Sequence, residues 1–360
     1  LSQSEEGEVK RPRNGANRTF LSQVILAIFL SLPLPHAGDA DAPVVIKMGT
    51  LAPEGSEWMN IWYEIVKEIE AKSPVPVKFI TYPGGVMGDE PQLVRKLKLG
   101  QLHTIGVTVS GIGQLVPEIL VLDLPFLFKS YDEIDAVLDH FRPRFEAFAR
   151  ERGYEIMAIL DQGIIRTFSR HPIPHPKDQL DRKVWGWSGE PVSLKNLEVL
   201  GIVPVALPVP EVLTGLQTGL IDTIHASITA LVALQWHTQI RYGYWNPLRY
   251  EPAVVLFTRK SLERIPKGKQ EEFIKFVRRT SAPYIQRLQE INRSQEKELM
   301  QALKEKGVTI TSWKEEDMKW WEERAQPLYS AFVGQFYPKS LVDEVLSFLK
   351  EYRSRQGAKR

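Results

Sequence analysis

Side chains capable of catalysis are sparse in this chain and poorly grouped. Its seven histidines include no His-Glu-x-x-His pair, the spacing that sets two imidazoles around zinc on one helix face. His171 and His175 share the run His-Pro-Ile-Pro-His, but alternating prolines hold it extended, so the rings do not share a helical face. Gly111-Ile-Gly113 follows an expected strand, yet Val116 stands where a dinucleotide fingerprint needs its third glycine. Gly186-Trp-Ser188-Gly189 misses the spacing of a nucleophile elbow, and no Walker-type loop occurs. Cysteine is absent, which removes thiol nucleophiles, thiolate metal sites and disulfides. No catalytic constellation, metal site or cofactor motif emerges, and a binding function is expected rather than an enzyme.

The residues that do stand out suit recognition. Trp185 and Trp187 lie two apart on an expected strand, so both face the same way. Each indole can bury on the order of 200 Å², enough to wall a cleft against an apolar ligand. Arg166 is the candidate polar anchor, because a guanidinium can give two parallel hydrogen bonds to a carboxylate. Met87, Ser110, Phe126, Pro208, Ser227 and Thr229 fall at expected strand ends or adjoining loops, where open α/β sheets bind ligands.

The elements that must carry these residues read as alternating strands and helices. A β-branched strand at Val44–Thr50 is broken by Pro53 and Gly55. Ser56 then caps a helix to about Ala71, with Trp58, Ile61, Trp62, Ile65 and Ile69 at helical spacing. A strand at Val75–Tyr82, a helix at Glu90–Leu99 and a strand at His103–Ser110 complete an α/β unit with mainly parallel strands. Asp132–Arg152 reads as a helix and Tyr154–Leu160 as a strand. After Pro172, Pro174 and Pro176 a second alternation runs through strands Lys183–Trp187, Ile202–Leu207 and Thr223–Ile228. Glu251–Arg259 reads as a strand returning to the first unit, and Lys267–Lys306 as one very long helix with Pro283 inside it.

With 360 residues, 43% hydrophobic and 25% charged, the chain can form two ordinary domains. Lys+Arg number 46 against 44 acidic residues, which gives no basic footprint for nucleic acid. Lys10, Arg11, Arg13 and Arg18 precede an apolar run from Phe20 to Leu34 and the small residues Ala37-Gly-Asp-Ala40. That order is a secretory signal peptide, and the run falls short of the ~20 residues that span a bilayer. A periplasmic location is expected.

Three blocks, in order, resemble the solute-binding proteins of TRAP transporters, the dicarboxylate type. They are Tyr82-Pro-Gly-Gly-Val-Met-Gly-Asp-Glu90, Leu122-Asp-Leu-Pro-Phe-Leu-Phe128 and Glu211-Val-Leu-Thr-Gly-Leu-Gln-Thr-Gly-Leu-Ile-Asp222. The resemblance covers about residues 44–335. It implies a two-lobed periplasmic binding protein fold with a ligand cleft and a long helix bridging both lobes. The lobes are expected at residues 43–163 plus 252–285 and 164–251 plus 286–335, followed by a C-terminal helix and disordered tail at 336–360. The partners implied are a small-molecule ligand and integral-membrane TRAP subunits, the receptor itself being a monomer or homodimer. The family clamps a substrate carboxylate with arginines. Arg166, in Gly163-Ile-Ile-Arg-Thr-Phe168, matches one of them. In Asp178-Gln-Leu-Asp-Arg-Lys-Val-Trp185-Gly186, Trp185 stands where the other is expected. The expected solute is therefore more apolar than a dicarboxylate. The alternatives are a monocarboxylate or keto acid held by Arg166, and a hydrophobe carried to a periplasmic helical-repeat partner.

Overall fold

The computed structural model describes residues 42–357; the expected signal peptide at 1–40 lies outside the described residues. Strand β1 (Val44–Thr50) leads into helix α1 (Glu57–Lys72), capped by Ser56, whose side chain accepts from Met59 N. Ile61, Ile65 and Ile69 form its buried stripe, one apolar face at helical spacing. Strand β2 (Val77–Tyr82) precedes α2 (Glu90–Lys98), whose N-cap is Asp89. Strand β3 (Thr104–Val107), α3 (Val109–Leu115) and α4 (Tyr131–Glu151) follow. The strand expected to reach Ser110 stops at Val107, because the chain turns there into α3.

Strand β4 (Tyr154–Ser169) crosses to β5 (Trp185–Trp187), α5 (Pro191–Val199) and β6 (Val205–Leu207). Next come α6 (Val212–Thr218), β7 (Thr223–Ala226) and α7 (Ile228–Ala233). Strand β8 (Tyr242–Thr258) returns, followed by α8 (Arg259–Leu262), α9 (Gln270–Glu305) and β9 (Thr309–Thr311). Helices α10 (Glu315–Ala325), α11 (Leu328–Ala331) and α12 (Lys339–Gly357) end the described chain.

The main sheet has the order β2-β1-β3-β8-β4-β7, with β9 on β8, and β5-β6 forms a separate pair. β1 runs parallel to β2 and β3, whereas β3–β8, β4–β8 and β4–β7 are antiparallel. The sheet is thus mixed rather than mainly parallel, because the long strands β4 and β8 run against each other between the lobes. Their pairing extends from Tyr154↔Thr258 to Ser169↔Tyr242, about 50 Å of ribbon at strand rise. Register shifts between Ile156 and Ala158, Asp161 and Gly163, and Ile165 and Thr167 bend it where it passes from one lobe to the other. Gly163 sits at this crossing with φ 115°, and a Cβ there would meet Ser227 Cβ at 3.2 Å, so the crossing requires glycine.

Helix α9 lies alongside this ribbon and is about 54 Å long at 1.5 Å per residue. Phe273, Ile274, Val277 and Leu288 join the core beneath α1, and Leu303 joins the larger core that continues through the second lobe. The expected disordered tail is instead helical as far as Gly357. Arg353 holds it down, donating to Glu133 Oε1 at 2.8 Å and to Leu127 O at 2.7 Å. Among the described residues no helix is long and apolar enough to cross a membrane.

Candidate functional site

A cavity of about 170 Å³ opens beside Trp185 and Trp187 and runs toward the core between α1 and α9, past Ile61, Phe79 and Leu288. Both lobes contribute to its wall. The first supplies Thr50, Trp58, Trp62 and Glu90, the second Trp185, Trp187, Ser227 and Trp236. Its wall is mostly hydrocarbon and indole. Among the described residues it contains no lysine or arginine, but the acidic residues Glu90, Asp161 and Glu251 do line it.

The tryptophans are held by local geometry and by the protein's own acceptors. Trp185 and Trp187 flank Gly186, where a Cβ would meet Leu194 Cδ2 at 2.6 Å, so β5 can lie directly on α5. The two indoles stack with centroids 6.1 Å apart, and Trp236 meets Trp185 edge-on at 5.3 Å. Trp185 Nε1 donates to Leu207 O at 2.9 Å and Trp187 Nε1 to Asp89 Oδ2 at 2.9 Å. With both N–H groups satisfied, what the indoles offer a ligand is apolar ring surface. Both are buried and also belong to the main core, so the cleft-wall and core readings of these residues coincide.

Asp89 joins the lobes. Its Oδ1 caps α2 through Glu90 N at 2.8 Å, while Oδ2 accepts from Trp187 Nε1 and from Val209 N at 3.2 Å across the cleft. Burial raises the Asp89 carboxyl above its ordinary range, against those same donors. Nearby, Glu90 accepts from Thr108 N at 2.6 Å and Gly111 N at 2.7 Å at the start of α3.

Behind the tryptophans lies a set of buried charges that sequence reasoning did not single out. Arg249 is ion-paired with Asp123 and also faces the charges of Glu251 and Glu190; burial would lower its pKa, but these carboxylates raise it. Burial in turn raises all three acids, pushing Glu190 up to about 7. His225 lines the cavity, and its Nε2 meets Gln179 Oε1 at 2.8 Å. Burial, with Arg249 beside it, pushes its pKa down to about 3, so the ring is neutral. Glu190 does follow the Ser188-Gly189 turn, but nothing local in sequence points to Glu251 or Arg249.

The remaining expected site residues are placed as follows. Arg166 lies outside the cavity wall. Its Nη2 pairs with Glu296 Oε2 on α9 at 3.2 Å, and its guanidinium lies over the Trp245 ring at 3.8 Å. Burial lowers its pKa and Glu296 opposes that shift. Ser227 lines the cavity and caps α7, its hydroxyl accepting from Ala230 N at 3.1 Å. Phe126 has φ 58°, a left-handed conformation unusual for a bulky residue; it borders a smaller pocket shared with Trp185, His225 and Arg249. Ser110 is buried, its hydroxyl 3.5 Å from Gly189 O across the cleft. Met87, half-buried, packs on the main core. Pro208 starts a turn through Glu211 N to Pro208 O at 3.0 Å, and Thr229 is half-buried on α7. Neither Met87, Ser110, Pro208 nor Thr229 lines the cavity.

Two lobes joined by a bent ribbon and a shared helix, with an apolar cavity between them, define a solute receptor of the periplasmic binding-protein class. The comparisons with known proteins give the family. The chain belongs to the bacterial extracellular solute-binding protein family 7, whose model matches residues 48–335, and proteins of this family are receptors of TRAP transporters rather than enzymes. The sialic acid-binding periplasmic protein SiaP of Vibrio cholerae is 22% identical over 330 residues, 88% of this chain and 96% of that protein. Among solved structures, the sugar acid binding protein DctPAm of Advenella mimigardefordensis, in complex with galactonate, superposes with TM-score 0.77 at 22% identity. That match covers 86% of this chain and 98% of that one. A TRAP periplasmic solute binding protein of Desulfovibrio salexigens with bound orotic acid gives TM-score 0.77 at 17% identity, over 87% and 99% of the two chains.

Proposed function

We propose that this protein is the periplasmic receptor of a TRAP-type secondary transporter and that its solute is more apolar than a dicarboxylate. The observation that carries the reading is the cavity wall: five tryptophans and, among the described residues, no lysine or arginine. A carboxylate taken from water into such a wall would lose hydration with no cation to replace it. In this reading Trp185 occupies the place of a carboxylate-clamping arginine, and Trp185, Trp187 and Ser227 touch the solute. Arg166 serves structure, since holding a carboxylate would mean giving up Glu296. The receiving partner is the integral-membrane TRAP complex, and ligand contacts with both lobes drive closure.

An acidic solute is the second reading, favoured by the galactonate and orotic acid held by the two superposed proteins. Arg249, at the pocket that shares Trp185 and His225 with the cavity, would then be its cation, in competition with Asp123. A thermal-shift panel separates the two. At 100 times Kd a ligand adds about 2.7 kcal/mol of stability, a rise of several degrees. Apolar aromatic or aliphatic solutes should give that rise; stabilisation by succinate or sugar acids alone would sink the apolar reading.

A further inference from the structure

Among the described residues three acidic residues line the cavity, and the carboxylates of two of them are already hydrogen-bonded. Glu90 is held by backbone N–H groups at the start of α3. Asp161 accepts from Tyr250 Oη at 2.7 Å and from Arg293 Nε at 2.7 Å. Glu251 differs from both. It is 8% exposed and lines the cavity, and among the described residues its carboxylate makes no hydrogen bond or ion pair. The cation in its field, Arg249, is ion-paired with Asp123 and also faces Glu190. A carboxylate buried this deeply without a donor is costly unless a partner arrives to satisfy it.

The partner's chemistry follows from the walls. Trp185, Trp187 and Trp236 line the same cavity as one packed indole cluster. Indole faces attract cations through their quadrupole, most strongly in a desolvated site. We infer that the solute is an organic cation with an apolar body, its ammonium group pairing with Glu251 and resting against the tryptophan faces. This rests on the apolar-solute reading above and names the polar end of that solute. Burial holds the Glu251 carboxyl above its ordinary range, and a bound ammonium favours its ionised form.

The test uses the whole receptor and three probes of similar shape, phenethylamine, 2-phenylethanol and phenylacetate, with affinities read by calorimetry. The amine should bind at least tenfold more tightly than the alcohol and the carboxylate. Glu251→Gln should remove that advantage while leaving the alcohol's affinity within twofold. If amine and alcohol bind equally, the cation inference is wrong and the apolar reading stands. If phenylacetate binds best, or if only sugar acids bind, both fall. Should Glu251→Gln fail to fold, judged by far-ultraviolet circular dichroism, the probe series on the unaltered protein decides the matter alone.

Discussion

Asp89 is the most direct handle on closure, because one oxygen accepts two hydrogen bonds from the opposite lobe. Asp89→Ala removes the bonds from Trp187 Nε1 and Val209 N and strands both buried donors. Hydrogen bonds to a charged acceptor contribute about 1.5–3 kcal/mol each. With some relaxation the closed state should lose about 2–4 kcal/mol, a factor of roughly 30 to 1,000 in the closing equilibrium. The substitution also deletes the α2 cap to Glu90 N, which costs about 1 kcal/mol of overall stability. Asp89→Asn separates the two effects: its single carbonyl can serve the cap or the cross-lobe donors but not both.

The assay is solution scattering of apo and ligand-saturated protein, with affinity measured by calorimetry. Asp89→Ala should expand the apo form and weaken ligand binding by at least tenfold. Trp187→Phe, which keeps the ring and loses the donor, should act in the same direction. The double variant should lose distinctly less than the sum of the two, since both remove one shared bond. Strict additivity, or unchanged scattering with Kd within twofold, would refute the latch.

Two further outcomes follow from the buried groups. Trp185→Ala should weaken an apolar solute more than Arg166→Ala does. The latter should cost about 3–5 kcal/mol of unfolding free energy by leaving Glu296 buried without its cation, a loss similar to that of truncating the core indole of Trp185, so calorimetric binding, not denaturant titration, should separate the two variants. For pH, Glu190 is raised from 4.5 to about 7, so the native state holds a proton that the unfolded chain has released. Its contribution is fully present below about pH 4.5 and is lost as pH rises through 7. Thermal stability should fall as pH rises from about 4.5 to 7 and level off above that, and Glu190→Gln should flatten that slope, with melting temperature across the window as the check.

Local pattern made much of this architecture readable. The apolar stripe of α1, the 36 residues of α9 and the capping residues Ser56 and Asp89 depend on neighbours a few positions away, and periodicity reports such neighbours. The ribbon was less legible. Tyr154–Leu160 and Glu251–Arg259 read as separate short strands, yet they are parts of strands of 16 and 17 residues. Bulges near Gly163 interrupt the alternation that would have joined the pieces, and the pairing partners lie about 90 residues apart.

The sequence by itself determined a family pattern spread through the chain, a long bridging helix, and two tryptophans facing one way from β5. What those residues do was decided by tertiary structure. Arg166 reads as a carboxylate clamp until Glu296, 130 residues later, is found against it. Asp89 reads as a helix cap until Trp187, 98 residues away, donates to its other oxygen. Glu251 carries no local signal at all. Its isolation comes from which groups the fold fails to bring near it, and a missing neighbour is a long-range property that residue spacing does not record.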